Sequence, residues 1–346
     1  MSKLLADKKK LFDIDKDNLM FHNKALFALL IPIVVEQLLN SFMGMVDTMM
    51  VSNLGSQAIS GVSLVDSVNN LIVQLFYAMA TGAAIICSHY IGMKDREGAN
   101  KAARQVVLTV ATIAVVITIA GLILRRPLLS FIFGKVEPEV MSNAVTYFLY
   151  TALSYPFLAL FSAGSAIFRS CGNSRYPMMV SVISNVINVC GNALLMFVFN
   201  MGVAGAAIST LVSRVFCMVV IFIALSKPKI DIVVSEYHKI RPDYKLIGSI
   251  LAIGVPSGIE NSMFQFGKLA IQSTVSTLGT VAIAAQAMTN ILENLNGIAA
   301  IGIGIGLMTV VGQCLGAGRK DEAIYYIKKL SWLSEAVIIA SCLLVF

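Results

Sequence analysis

Apolar residues run along this chain in long blocks, separated by short clusters of polar and charged positions. The blocks are about 20 residues or longer, the length that lets an α-helix cross roughly 30 Å of hydrocarbon. Barrel strands would be much shorter, and in lipid only a helix or a closed barrel satisfies its own backbone polar groups. The pattern predicts nine spanning helices, at 24–50, 58–91, 102–124, 139–168, 175–199, 203–226, 245–277, 282–315 and 324–346. Residues 1–23 are polar and Lys-rich with no apolar core of the signal-peptide kind, and read as a cytoplasmic tail.

The blocks also repeat. Residues 28–99 fall on residues 252–323 at an offset of 224 without a gap, and 15 of the 72 positions are identical. Pro32 falls on Pro256, Glu36 on Glu260, Asn70 on Asn294, Gly82 on Gly306 and Gly92 on Gly316. A repeat this long in an apolar chain points to a transporter of two homologous lobes. Six helices precede the restart, an even number, so both copies enter the membrane in one direction and an axis along its normal should relate them. The expected layout is an N-lobe at 24–226, a cytoplasmic linker at 227–244 and a partial C-lobe at 245–346. A full second lobe would need three more helices, roughly 100 residues; the alternative is a natural nine-helix protein.

Composition agrees: 57% of residues are hydrophobic and 13% charged, against roughly a quarter charged in soluble domains. The net charge of +7 does not point to nucleic acid, because of where the bases lie. With the N-terminus inside, 21 of 26 Lys and Arg fall on cytoplasmic segments, counting Arg169 in a loop at 169–177. Only Arg125, Arg126 and Lys135 fall outside, and Arg214 and Lys268 lie within spans. This is a positive-inside signature, with the lysines beside anionic lipid headgroups. The six cysteines and three histidines are scattered, which gives no metal or disulfide framework.

Ionised side chains at mid-bilayer cost about 2.5–3.5 kcal/mol on insertion scales, so they mark a function or a partner. Five acids fall within the spans: Glu36, Asp47, Asp66, Glu260 and Glu293. At helical spacing Glu36, Asn40, Met43 and Asp47 share one face. The equivalent face of the seventh helix carries Glu260, Phe264, Gly267 and Ile271, and Gln265 on the same helix is a further candidate for the solute. Asp66, Asn69 and Asn70 on the second helix are matched by Asn290, Glu293 and Asn294 on the eighth. Asn185, Asn188 and Asn192 share a face of the fifth. The functional reading is a cavity between the lobes, lined by carboxylates and amides, that takes organic cations and protons or sodium. The alternative, for any single Asn, is interhelical hydrogen-bond glue. Lys268 and Arg214 read as ion-pair partners that fix helix positions. Pro32 and Pro256 are expected to open their helices, and Gly302, Gly304, Gly306, Gly312 and Gly316 to serve close helix packing.

Four local patterns give the chain a family resemblance: Met45–Gly55, Gly92-Met-Lys-Asp with its echo Gly316-Ala-Gly-Arg, Phe168–Pro177, and Gly202–Ser209. Together they resemble the multidrug and toxic-compound extrusion (MATE) family, nearest its bacterial MepA-like subgroup, over nearly all of 24–346. The resemblance implies an all-α, polytopic, two-lobe bundle of twelve helices, about nine of them present here. It implies alternating access and antiport of organic cations against H⁺ or Na⁺, the kind of multidrug efflux that confers antibiotic resistance. The expected setting is a monomer in the bacterial inner membrane, among lipid, with no cofactor and no enzymatic activity. It places the coupling acid at Asp47, near which Na⁺ is a candidate, and a polar pair at Asn188 and Asn192. Many members have Asp where Asn192 stands, and carry their acid of helix seven where Phe264 stands. Rival readings are a lipid-linked oligosaccharide flippase of the same superfamily, a membrane-embedded enzyme, and a non-transporting fragment. The flippase would call for basic cavity residues, whereas acids in the spans outnumber bases five to two.

Overall fold

The computed structural model describes residues 18–133, 137–227, 232–234, 241–276 and 280–345, and these hold nine long helices and no strand. They are α1 (Asn23–Ser52), α2 (Ser56–Gly92), α3 (Arg96–Phe133), α4 (Pro138–Ser170), α5 (Arg175–Asn192), α6 (Gly202–Leu225), α7 (Tyr244–Ser276), α8 (Thr280–Gly316) and α9 (Lys320–Val345). A π-helical turn, Ala193–Val198, continues α5. Among the described residues α1–α6 and α8 are long and apolar enough to cross a membrane. α7 and α9 fall short: Glu260 and Lys268 dilute the first, and a charged first turn, Lys328, Lys329 and Glu335 dilute the second.

Two expectations about helix ends change. The third helix runs past 124 through Arg125, Arg126 and Pro127 to Phe133. Arginine favours helix and can carry its head to water, so the helix does not stop where the apolar run does. Pro32 and Pro256 lie inside α1 and α7 rather than at their starts. The turns ahead of Pro32 bury Leu26, Leu29 and Leu30, and that packing outweighs one missing backbone bond.

α2 is the hub. It packs against α3 and α4 of the first copy and against α7 and α8 of the second, while α4 also packs on α6 and α5 lies between α1 and α6. Phe76, Phe148, Tyr155, Ile221 and Leu225 fill the buried centre. Since lipid is as apolar as this core, close packing rather than escape from water holds the helices, and Ala152, Ala159 and Ala163 on α4 let neighbours approach.

The two copies meet through equivalent residues. Gly92 lies against the backbone carbonyl of Gln313, and Gly316 against that of His89; the offset of 224 relates 92 to 316 and 89 to 313. Ser88 and Gly312, each other's equivalents, touch directly: a Cβ at Gly312 would lie 2.7 Å from the Ser88 Cβ. A pseudo-twofold axis therefore passes between α2 and α8, which run side by side in one direction. A methyl at Gly92 or Gly316 would strike backbone, which no rotamer change relieves. Gly92→Ala and Gly316→Ala are each expected to cost about 1–3 kcal/mol, read as a lower melting temperature in detergent. Gly304→Ala, with no atom within 4 Å of the added carbon, should be neutral.

Two straps tie the same end. The segment before α7 is held on α3: Lys101 Nζ pairs with Asp243 Oδ2 at 2.6 Å, and Gln105 Nε2 donates to the Arg241 carbonyl at 2.7 Å. The Lys101 ammonium, aided by the Leu246 and Lys245 amides that Asp243 caps, holds the Asp243 carboxyl below its ordinary pKa. The segment before α1 is held on α9: Tyr326 OH accepts from the Phe21 amide at 2.9 Å and donates to its carbonyl at 2.8 Å, and Lys329 donates to Asn23. Lys101 and Gln105 are the equivalents of Tyr325 and Lys329. Each copy's lead-in thus lies on the other copy's third helix.

Candidate transport site

Two cavities adjoin within the bundle. The smaller, about 220 Å³, lies inside α1–α6. The helical period of α1 brings Glu36, Asn40, Met43 and Asp47 to its wall, as their spacing requires. Glu36 is buried, and Arg169 Nη2 donates to both of its carboxylate oxygens at 2.9 Å. Ser181 adds a weaker hydrogen bond of 3.3 Å. Three turns along α1, Asp47 Oδ1 accepts from Asn192 Nδ2 at 2.6 Å. The same amide nitrogen reaches Asn188 Oδ1 at 3.3 Å, and Asn188 Nδ2 donates to Thr210 Oγ1 at 3.2 Å. Arg214 lines the cavity one turn beyond Thr210 on α6 and donates to Ser154 Oγ at 2.6 Å.

Asp66 stands outside the lining. It accepts from Asn69 Nδ2 at 3.4 Å, and Asn69 Oδ1 accepts from Tyr155 OH at 2.6 Å. Asn70 is exposed and lines neither cavity.

The larger cavity, about 590 Å³, lies between α1, α2 and α4 on one side and α7 and α8 on the other. Its wall includes Gln37, Gln74, Phe264, Gln265, Lys268 and Glu293. Lys268 Nζ pairs with Glu293 Oε1 at 2.9 Å and sits 5.1 Å from the centroid of the Phe264 ring. Tyr77, Ala80 and Arg169 line both cavities and so form a wall that the two share.

This arrangement corrects the expectation of a carboxylate-lined cavity between the lobes. Among the described residues Glu293 is the one acid on that surface, and it is paired. Glu36 and Asp47 face into the first bundle instead, because Arg169, Ser181 and Asn192 there satisfy them. Glu260, the equivalent of Glu36, is exposed on α7 and lines neither cavity. The side chains of Asn290 and Asn294 lie outside the described residues. Arg169 is the residue that sequence reasoning missed: it belongs to the last turn of α4 rather than to a loop, which leaves 20 of the 26 bases on the positive end. Gly172, at a φ of +78°, was the available signal, since a left-handed glycine closes a helix just behind it and so keeps Arg169 inside.

The MatE family model matches residues 32–194 and 256–346, both copies of the repeat. The chain belongs to the MATE family. Its members are transporters, not enzymes. This MATE chain is 27% identical over 318 residues to "Probable multidrug resistance protein NorM" of Thermotoga maritima, covering 90% of its own length and 67% of that relative. It is 24% identical to "Multidrug export protein MepA" of Staphylococcus saprophyticus, covering 91% of itself and 69% of that protein. A crystal structure of a MATE protein in the straight conformation superposes with a TM-score of 0.86 at 21% identity, over 92% of this chain and 71% of the other, which shows the shared fold.

Proposed function

We propose that this MATE chain exports small organic cations by alternating access, using the cavity between the two copies for the solute and the cavity inside α1–α6 for a coupling ion, H⁺ or Na⁺. The observation that carries the reading is the pair of adjoining cavities with a shared wall. The larger falls within the roughly 300–1,000 Å³ of small-molecule sites and offers an aromatic face, amides and few charges. The smaller holds Asp47, whose hydrogen-bond partner is a neutral amide rather than a base. An ion there and a solute next door influence each other only through differing affinities for the two arrangements of the copies. The chain acts as a monomer in the bacterial cytoplasmic membrane with its Lys-rich end inside. A flippase for pyrophosphate-linked lipids would ask for bases free to bind phosphate, whereas Lys268 and Arg169 are both committed to carboxylates.

The test is binding of a fluorescent cation, ethidium, to the purified chain in detergent. Gly297 lines the larger cavity with no atom within 4 Å of an added Cβ, so the side chain of Gly297→Trp starts in open space. It should weaken binding about tenfold or more, a change of about 1.4 kcal/mol. Unchanged affinity would show that the dye does not occupy this cavity.

A further inference from the structure

An organic cation in a cavity is held by a carboxylate that balances its charge and by an aromatic face on which the charge can lie. The larger cavity offers both, Glu293 of α8 and Phe264 of α7. Both are already taken. The Lys268 ammonium stands 2.9 Å from Glu293 Oε1 and 5.1 Å from the centroid of the Phe264 ring. Four residues separate Phe264 from Lys268, which sets them one turn apart on one face of α7. Among the described residues Glu293 is the one carboxylate on this wall, and the other base there, Arg169, is bound to Glu36. A cation that enters finds that counter-charge covered by an ammonium of the chain itself.

The pair can part. The side chains of Lys268 and Glu293 are 35% and 51% exposed, against 10% and 3% for Arg169 and Glu36. An ion pair this open to water holds weakly, and a lysine head on a four-carbon stem swings away without being stranded. Nor does helix packing need it. At the offset of 224 Lys268 falls on Gly44 and Phe264 on Asn40, so the first copy packs α1 against α2 with no ammonium at that place.

We propose that Lys268 is a tethered competitor of the solute: its ammonium occupies the Phe264–Glu293 subsite that takes the charge of an exported cation, which binds by displacing it. This deepens the reading of the larger cavity given above and rests on it. The competition sets the class of solute. A small ammonium ion offers the subsite no more than Lys268 does, and the tether gives Lys268 the higher effective concentration. An aromatic cation adds what a lysine lacks, a flat apolar body to lie against Ile301, Ile305 and Met308 of the same wall. The cavity therefore rejects small ammonium ions and accepts large aromatic ones, and both should bind more tightly once the competitor is removed.

The experiment is ethidium binding to the purified full chain in detergent at pH 8, read by fluorescence. Tetramethylammonium serves as competitor, and aminoanthracene, an aromatic amine uncharged at that pH, as neutral control. Lys268→Met, which keeps the stem and removes the charge, should tighten ethidium binding about five- to tenfold and leave aminoanthracene within about twofold. Tetramethylammonium should displace ethidium from Lys268→Met at a concentration that leaves the unaltered chain loaded. Lys268→Arg, which keeps the charge, should stay within about twofold of the unaltered chain. Adding Glu293→Gln to Lys268→Met should remove the gain. Lys268→Gln keeps the test open should Lys268→Met not fold. Unchanged or weaker ethidium binding in the uncharged variants, the result expected of a lysine that only fixes α7 to α8, would overturn the proposal. So would an equal gain for aminoanthracene, or a gain that survives Glu293→Gln. Gly297→Trp separates the two claims. If it leaves ethidium binding unchanged, the solute reading of the cavity falls and the proposal with it. If it weakens binding while Lys268→Met does not tighten it, the reading stands and the tethered competitor alone falls.

Discussion

Arg169→Met is expected to be the most damaging single substitution in the first bundle, lowering stability by about 3–5 kcal/mol. Glu36 is 2% exposed, and both of its oxygens rest on one guanidinium nitrogen at 2.9 Å. Without the guanidinium a carboxylate stays buried with only the Ser181 hydroxyl, at 3.3 Å. The loss comes from stranding that charge, not from the worth of the pair, because the attraction of a buried pair roughly offsets its desolvation. Glu36→Met combined with Arg169→Met should therefore recover most of the lost stability. Thermal melting in detergent distinguishes the cases. A double variant as unstable as Arg169→Met would mean that the pair does more than satisfy itself.

Asp47→Asn is expected to leave the fold intact and to abolish coupling. An asparagine at 47 can still accept from Asn192 Nδ2 through its own carbonyl oxygen, so the α1–α5 contact survives. What disappears is the carboxylate to which the proposed function assigns the coupling ion. A pH difference of one unit contributes about 1.4 kcal/mol per coupled proton, a factor of ten in the solute ratio across the membrane. That factor should vanish in Asp47→Asn, while ethidium binding to the larger cavity stays within about twofold, a change of under 1 kcal/mol.

The parts of this architecture that follow from periodicity were legible in the sequence. The repeat offset related Gly92 to Gly316 and marked Gly316 for close packing, but that the two copies meet there, Gly92 on Gln313 and Gly316 on His89, is seen only in the structure. The face of Glu36, Asn40, Met43 and Asp47 was likewise readable, since a helix fixes which side chains point together. What that face points toward was not readable. The spacing along α1 is the same whether the face looks into its own bundle or across to the second copy. The choice was made by partners more than a hundred residues away, Arg169 and Asn192. Arg169 was hidden by the rule that bases near helix ends lie in loops, which holds for exposed bases and fails for one that a buried acid holds. The equivalence of Glu36 and Glu260 also promised more symmetry than the structure has: one is buried against a base, the other exposed. A repeat preserves backbone course more faithfully than it preserves the neighbours of a side chain.

The most direct single measurement is the ethidium ratio across proteoliposomes containing this chain, taken as a function of an imposed pH gradient. The expected result is a ratio that rises with the gradient for the unaltered chain and stays flat for Asp47→Asn. A ratio that rises equally in both would remove Asp47 from the coupling role. A flat response from the unaltered chain, in vesicles shown to hold it folded, would contradict proton-driven export of cations.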